Sequence, residues 1–168
     1  MNYLLGLMKN KSISKFIIHS VLFISLTVIT QVGGLLYVLS ILARIKLKLP
    51  SRWLRAVLFF SIYSVFTFFI IPPLAKQFGR ERIKNNEAIR PTTYFTVFLN
   101  RNYVNTEMNE LILESAKTLK GSGIKINYLD ANFPFLNNFP LLPHLSHDDG
   151  KKLDISFVYV EENGTVSR

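Results

Sequence analysis

Hydrophobic positions in this chain fall into two long unbroken runs followed by short groups with strand or helix spacing. Residues 16 to 43 hold no Lys, Arg, Asp or Glu over 28 positions, and residues 56 to 75 hold none over 20. Roughly 20 apolar residues at about 1.5 Å each cross the ~30 Å hydrocarbon core of a bilayer, so each run predicts one transmembrane helix. The first has residues to spare for tilt. Burying two helices that are apolar all round inside a soluble fold would need far more chain than follows them. The first run also exceeds the roughly 7 to 15 apolar residues of a cleaved signal segment, so it reads as an uncleaved anchor. Within it, Gly33 and Gly34 offer a surface that another helix can approach closely, and His19 and Gln31 read as interfacial or snorkelled side chains.

Beyond a polar linker at residues 76 to 91, the pattern shortens. Residues 92 to 99, TTYFTVFL, are rich in β-branched and aromatic side chains and predict a strand. Asn105 or Thr106 then caps a helix whose apolar positions Met108, Leu111, Ile112, Ala116 and Leu119 have helical spacing, closed by Gly121. Residues 124 to 129 alternate as a half-buried strand, and residues 153 to 160 predict another. Between them, residues 130 to 143 carry three Pro, three Phe and three Asn, too irregular for an element and too apolar for a solvated loop. Phe133, Phe135 and Phe139 either cover the sheet or wall a cleft. Asn163-Gly164 signals a hairpin turn close to the end of the sequence, from which a C-terminal continuation is expected. The expected fold class is a membrane protein with two transmembrane helices followed by a small α+β domain with a mainly antiparallel sheet. Its parts are a basic leader at 1–15, helices at 16–43 and 56–75 around a basic loop at 44–55, the linker, and a domain at 92–168.

Charge assigns sides to this plan. Of 20 Lys and Arg and 11 Asp and Glu, every acid lies at Glu81 or later, so the net +9 belongs to the flanks of the apolar runs and not to a nucleic-acid surface. Five basic residues and Trp53 crowd the 44–55 loop, which places that loop in the cytoplasm. With two spans, both termini are then extracytoplasmic. The expected location is a bacterial inner or plasma membrane, with the lipid bilayer as partner. Cysteine is absent, so no disulfide framework supports the soluble part.

One short string carries chemistry: His144-Leu145-Ser146-His147-Asp148-Asp149-Gly150-Lys151-Lys152-Leu153-Asp154-Ile155. On spacing alone it reads most simply as a polar surface turn. If Gly150 reverses the chain, His147 and Asp154 can meet at one ion, and imidazole with carboxylate suits Zn²⁺. His144 is then a further ligand, a support for a ligand, or a group near the reacting water. The pattern H-x-S-H-x-x-G-x-x-L-D-I resembles the zinc motif of the penicillin-insensitive murein endopeptidases. More distantly it is similar to D-Ala-D-Ala peptidases and hedgehog-type domains. The resemblance implies zinc as cofactor, His147 and Asp154 as metal ligands on a small antiparallel sheet, and peptidoglycan peptides as partners. That group draws a third ligand from a later His, and this sequence has no His after His147. The expected function is a membrane-anchored zinc-peptidase-like protein. The alternative is a non-catalytic membrane tether with a degenerate metal-binding domain.

Overall fold

A computed structural model describes residues 2–119, 124–156, 159–160 and 166–167. The chain forms two compact units, Met1–Phe66 and Thr67–Arg168.

The first unit corrects the one-helix reading of residues 16 to 43. Helix α1 runs Asn2–Thr30, the chain turns at Gln31 and Val32, and α2 runs Gly33–Lys46 back along α1. The turn follows from local chemistry. Gln31 adopts a left-handed φ of 65°, and the Thr30 hydroxyl donates to Leu26 O (2.8 Å) while accepting from Gly33 N–H (2.8 Å). The paired glycines then allow contact with α1. A Cβ on Gly33 would lie 2.9 Å from Leu26 O, and one on Gly34 would lie 2.6 Å from Phe23 O and overlap the Thr27 hydroxyl. Further along, His19 Nδ1 and Tyr37 Oη share a hydrogen bond of 2.5 Å, so His19 is a helix-pairing residue and not a snorkelled one. The close approach suggested by Gly33 and Gly34 is thus made by the preceding helix of the same chain. Helix α3, Arg52–Val65, reverses again, with the Phe59 ring edge-on to Tyr37 at 6.0 Å.

Two stretches, Ser12–Thr30 and Arg52–Gln77, are long and apolar enough to cross a membrane. Only 6% and 17% of their apolar windows are buried, whereas the core helix of a soluble protein would be mostly enclosed. The second stretch continues from α3 through a π-helical turn, Phe66–Ile70, into α4, Ile71–Gln77. Pro72 and Pro73 lack the N–H groups that would close the preceding α-helical turn, and the helix widens just before them.

In the second unit that widened turn is held by side chains. The Arg82 guanidinium donates to Thr67 O and lies 5.5 Å from the Phe68 ring centre, while Asn100 Nδ2 donates to Thr67 Oγ1 at 3.2 Å. Strand β1, Glu81–Arg82, leads to β2, Ile89–Pro91. Residues 92 to 99, expected as a strand, instead form the short helix α5, Tyr94–Phe98. The pairing reaches Thr92, whose N–H donates to Tyr128 O at 2.7 Å, and the Thr93 hydroxyl then accepts from Phe95 N–H, starting a helix in place of the strand. Then follow β3, Tyr103–Val104; α6, Thr106–Thr118; β4, Ile126–Tyr128; β5, Ile155–Ser156; β6, Tyr159–Val160; and β7, Val166–Ser167.

A three-stranded sheet runs β2-β4-β5, with β2 parallel and β5 antiparallel to β4; β1 pairs with β3 and β6 with β7, both antiparallel. The unit is α+β with mainly antiparallel pairing, as expected. The expected 153–160 strand is divided between β5 and β6, and the Asn163-Gly164 turn lies outside the described residues. Ile83, Ile89, Val104, Ile112, Ala116, Ile126, Tyr128 and Ala131 form the core. Helix α6 is capped by Asn105, whose side chain accepts from Met108 N–H (2.9 Å). Leu111 is exposed, and the fully buried polar residue on α6 is Asn109, which accepts from Lys84 N–H and donates to Glu81 Oε1 and Arg82 O.

Gly34→Val should destabilise the helical hairpin, because the added atoms meet the Phe23 carbonyl with no open space to take up. An overpacking cost of about 1–3 kcal/mol is expected. Unfolding of the full chain in detergent micelles measures it; an unchanged midpoint would mean that α1 and α2 do not pack closely.

Candidate metal centre

The ends of two strands set the platform. Past β4, Leu129 N–H donates to Asp154 O (2.9 Å) and Asp154 N–H to Asp130 O (2.8 Å), so the backbone just before β5 is tied to the chain leaving β4. Ala131 N–H donates to Arg101 O, and Asn132 exchanges two backbone hydrogen bonds with Tyr103, each 3.0 Å. The irregular 130–143 segment then folds over its own apolar side chains: Phe133 and Leu141 are buried, and the Phe133 and Phe139 rings meet edge-on at 5.5 Å. Its phenylalanines serve as cover. They do not line the groove described below.

The loop carrying the histidines is held by a buried cation. Arg80 is 3% exposed, and its Nη2 donates to Asn137 Oδ1 (2.5 Å) and to Asp148 O (3.3 Å). Burial pulls its guanidinium below its ordinary value, and the carboxylates of Asp149 and Asp148 oppose that shift. Gly150 lies flat on the guanidinium with φ of 82°, a conformation open to glycine, and a Cβ there would overlap Arg80 Nη1. Gly150 N–H donates to Asn132 Oδ1 (3.0 Å), and its carbonyl accepts from the N–H of Asn105, the cap of α6 (2.8 Å). The reversal expected at Gly150 is present, fixed from three sides.

This reversal brings the three expected site residues together. His147 Nε2 lies 3.1 Å from Asp154 Oδ1, His144 Nδ1 lies 3.2 Å from Asp154 Oδ2, and one ligand atom from each residue falls within 4.8 Å of the others. His147 is 5% exposed, and its Nδ1 lies 2.7 Å from Ala131 O. A carbonyl oxygen only accepts, so Nδ1 carries a proton and Nε2 faces Asp154 Oδ1. At 3.1 Å the space between nitrogen and carboxylate oxygen suits a positive charge, either a second proton on the ring or a metal ion. Asp154 Oδ2 is enclosed, with His144 Nδ1 beside it at 3.2 Å. The donors fit a divalent ion. Two imidazole nitrogens and a carboxylate make a three-ligand set of the kind zinc uses where it keeps an open position, and a backbone carbonyl behind a ligating His is its usual support.

No protein-family model, curated protein or solved structure matches the chain. What the centre can do therefore rests on its own geometry. His147 and Asp154 form part of the wall of a groove of about 520 Å³ whose apolar lining includes Met108, Leu111 and Ile112 from α6 and Leu153 and Ile155 from the loop end and β5. Leu111, one of the apolar positions at helical spacing, contributes here. Asp130 stands beside the centre, its carboxyl pushed up by burial and held by Arg101 Nη2 at 2.8 Å. Sequence reasoning had no signal for Arg80, Asn132 or the Ala131 carbonyl, because each acts through a contact remote along the chain.

Gly150→Ala should lower stability by about 1–3 kcal/mol through the clash with Arg80, with left-handed strain of roughly 1–2 kcal/mol added. A double-mutant cycle separates the two, since the extra methyl should cost less in an Arg80→Ala background. Additive effects would show that the guanidinium does not support this turn.

Proposed function

We propose that the chain is an integral membrane protein whose α+β unit carries a divalent-metal centre of the hydrolytic type, held by His144, His147 and Asp154 and directed at peptide amide bonds such as those of peptidoglycan. The observation that carries this reading is the convergence of one donor atom each from His144, His147 and Asp154 within 4.8 Å of one another, with the His147 ring oriented by the Ala131 carbonyl. Membrane insertion is supported by the outward-facing apolar surfaces of Ser12–Thr30 and Arg52–Gln77.

When bound, zinc would supply the Lewis acidity that activates water and polarises an amide carbonyl. The chain's own residues have separate tasks. His147, buried and oriented, fixes the position of the centre, and Asp154 supplies the negative charge that makes a cation favourable there. His144, with 43% of its side chain exposed, is the donor that faces solvent. The groove beside them takes the apolar part of a substrate and keeps water from it.

The full chain, purified in detergent and equilibrated with zinc, should retain about one ion. His147→Ala and Asp154→Ala should each release it, and His144→Ala should weaken retention. Metal content unchanged in the first two variants would remove the metal centre. Cleavage of cross-linked muropeptides by the zinc-loaded chain, lost in Asp154→Ala, separates the hydrolase from the tether.

A further inference from the structure

The helical hairpin changes which ends of the first unit lie together. Contacts between α1 and α2 move away from the turn in step: Leu26 with Gly33, Phe23 with Gly34, His19 with Tyr37. Carrying that antiparallel register onward at about 1.5 Å per residue brings Lys15 of α1 toward the same end as Arg44 and Lys46 of α2. Lys48 in the connection and Arg52 and Arg55 in the first turn of α3 join them, since α3 reverses against α2 at Tyr37 and Phe59. Six described cations therefore collect at one end of the unit, and no acid precedes Glu81 in the sequence. Lys15, Lys46, Lys48, Arg52 and Arg55 are exposed there, and so is Trp53, at 81%.

The opposite end is the turn, where Thr30, Gln31, Val32, Gly33 and Gly34 are all buried and the Thr30 hydroxyl links Leu26 O to Gly33 N–H. Non-helical backbone at membrane depth is tolerated when it is enclosed and satisfied in this way. Helix α2 has 14 residues, about 21 Å, short of the ~30 Å core. Whatever the depth of the turn, both arms return to the cationic end.

We propose that this end is a single docking surface for the anionic phospholipid headgroups of the cytoplasmic leaflet. The α1–α2 hairpin enters and leaves the membrane on that side, and only Arg52–Gln77 carries the chain across. The inference rests on the membrane reading and changes its topology: the N-terminus and the 47–51 connection share the cytoplasmic side, with the α+β unit on the other. Positive charge beside a span selects the cytoplasmic side, and anionic lipid there attracts each Lys and Arg.

Because the chain has no Cys, single substitutions report cleanly. Ser12→Cys, Ser51→Cys and Thr118→Cys are each expressed in the full chain in bacteria and treated with a membrane-impermeant maleimide. Thr118→Cys should react in intact spheroplasts, and the other two only after permeabilisation. Reaction of Ser12→Cys together with Thr118→Cys, Ser51→Cys remaining protected, would overturn the hairpin topology. The reverse of the expected pattern would overturn its orientation. Release of the chain from membranes by alkaline washing would instead remove the membrane reading itself. For the lipid, Trp53, the single tryptophan, is the probe. In phosphatidylcholine vesicles its fluorescence should be quenched more by a minor fraction of brominated phosphatidylglycerol than by the same fraction of brominated phosphatidylcholine. The difference should shrink in Lys46→Gln/Lys48→Gln. Equal quenching by the two lipids in the unsubstituted chain would overturn the docking surface.

Discussion

A guanidinium removed from water must be compensated where it lies, and in this protein that requirement shapes the candidate site. Arg80 follows α4 directly, its backbone N–H donating to Ala75 O at 3.0 Å, so its position is set by the end of a helix. Its charge is then met by Asn137 and by the Asp148 carbonyl, which binds two distant parts of the 137–150 segment to one point. A buried ion of this kind adds little net stability, since desolvation offsets most of the attraction, but removing a partner is costly. Such a group is better suited to selecting one loop conformation than to stabilising the fold. Gly150, flat against Arg80, is the residue through which the choice reaches His147 on one side and Asp154 on the other.

Selection of the loop matters because it sets two imidazoles against one carboxylate. Ala131 O takes the Nδ1 proton of His147, and Nε2 faces Asp154 Oδ1 at 3.1 Å. A flexible loop would relax by turning the ring away. Here the ring is buried, and the Asp154 backbone is held in both directions by Leu129 and Asp130. The geometry therefore persists, and a cation between nitrogen and oxygen, proton or metal, suits it. The same physics acts at larger scale in the first unit, where six like charges come to one end of a segment that contains no acid.

Much of this was legible in order along the sequence. Runs without charge gave the apolar helices, Asn105 gave the α6 start, and the spacing of His147, Gly150 and Asp154 gave the convergence. What escaped depended on contacts across the chain. The break after Thr30 lies inside a run that is apolar throughout, where hydrophobicity carries no information on direction; the Gly33-Gly34 pair was visible, but not that its partner was the helix preceding it. TTYFTVFL has strand composition, yet the Thr93 cap decides a segment too short for propensity to prevail. Leu111 has the helical spacing of its apolar neighbours but is exposed, and Asn109 is buried because backbone groups at Lys84 and Arg82 take up its amide.

The centre and the core of the α+β unit are physically separable. All three donors lie between His144 and Asp154, so an ion there closes a loop already closed by Arg80, Asn132 and the Asn105–Gly150 hydrogen bond. Little chain entropy is left for the metal to remove. The core residues from Ile83 to Ala131 come from α6, the sheet and the strand flanks, and none of them is a donor. A small structural zinc domain has the opposite arrangement, with ligands drawn from distant elements and folding driven by the ion. A site assembled in advance on its fold, with one exposed donor and a groove at its wall, does not need an ion to build the domain around it.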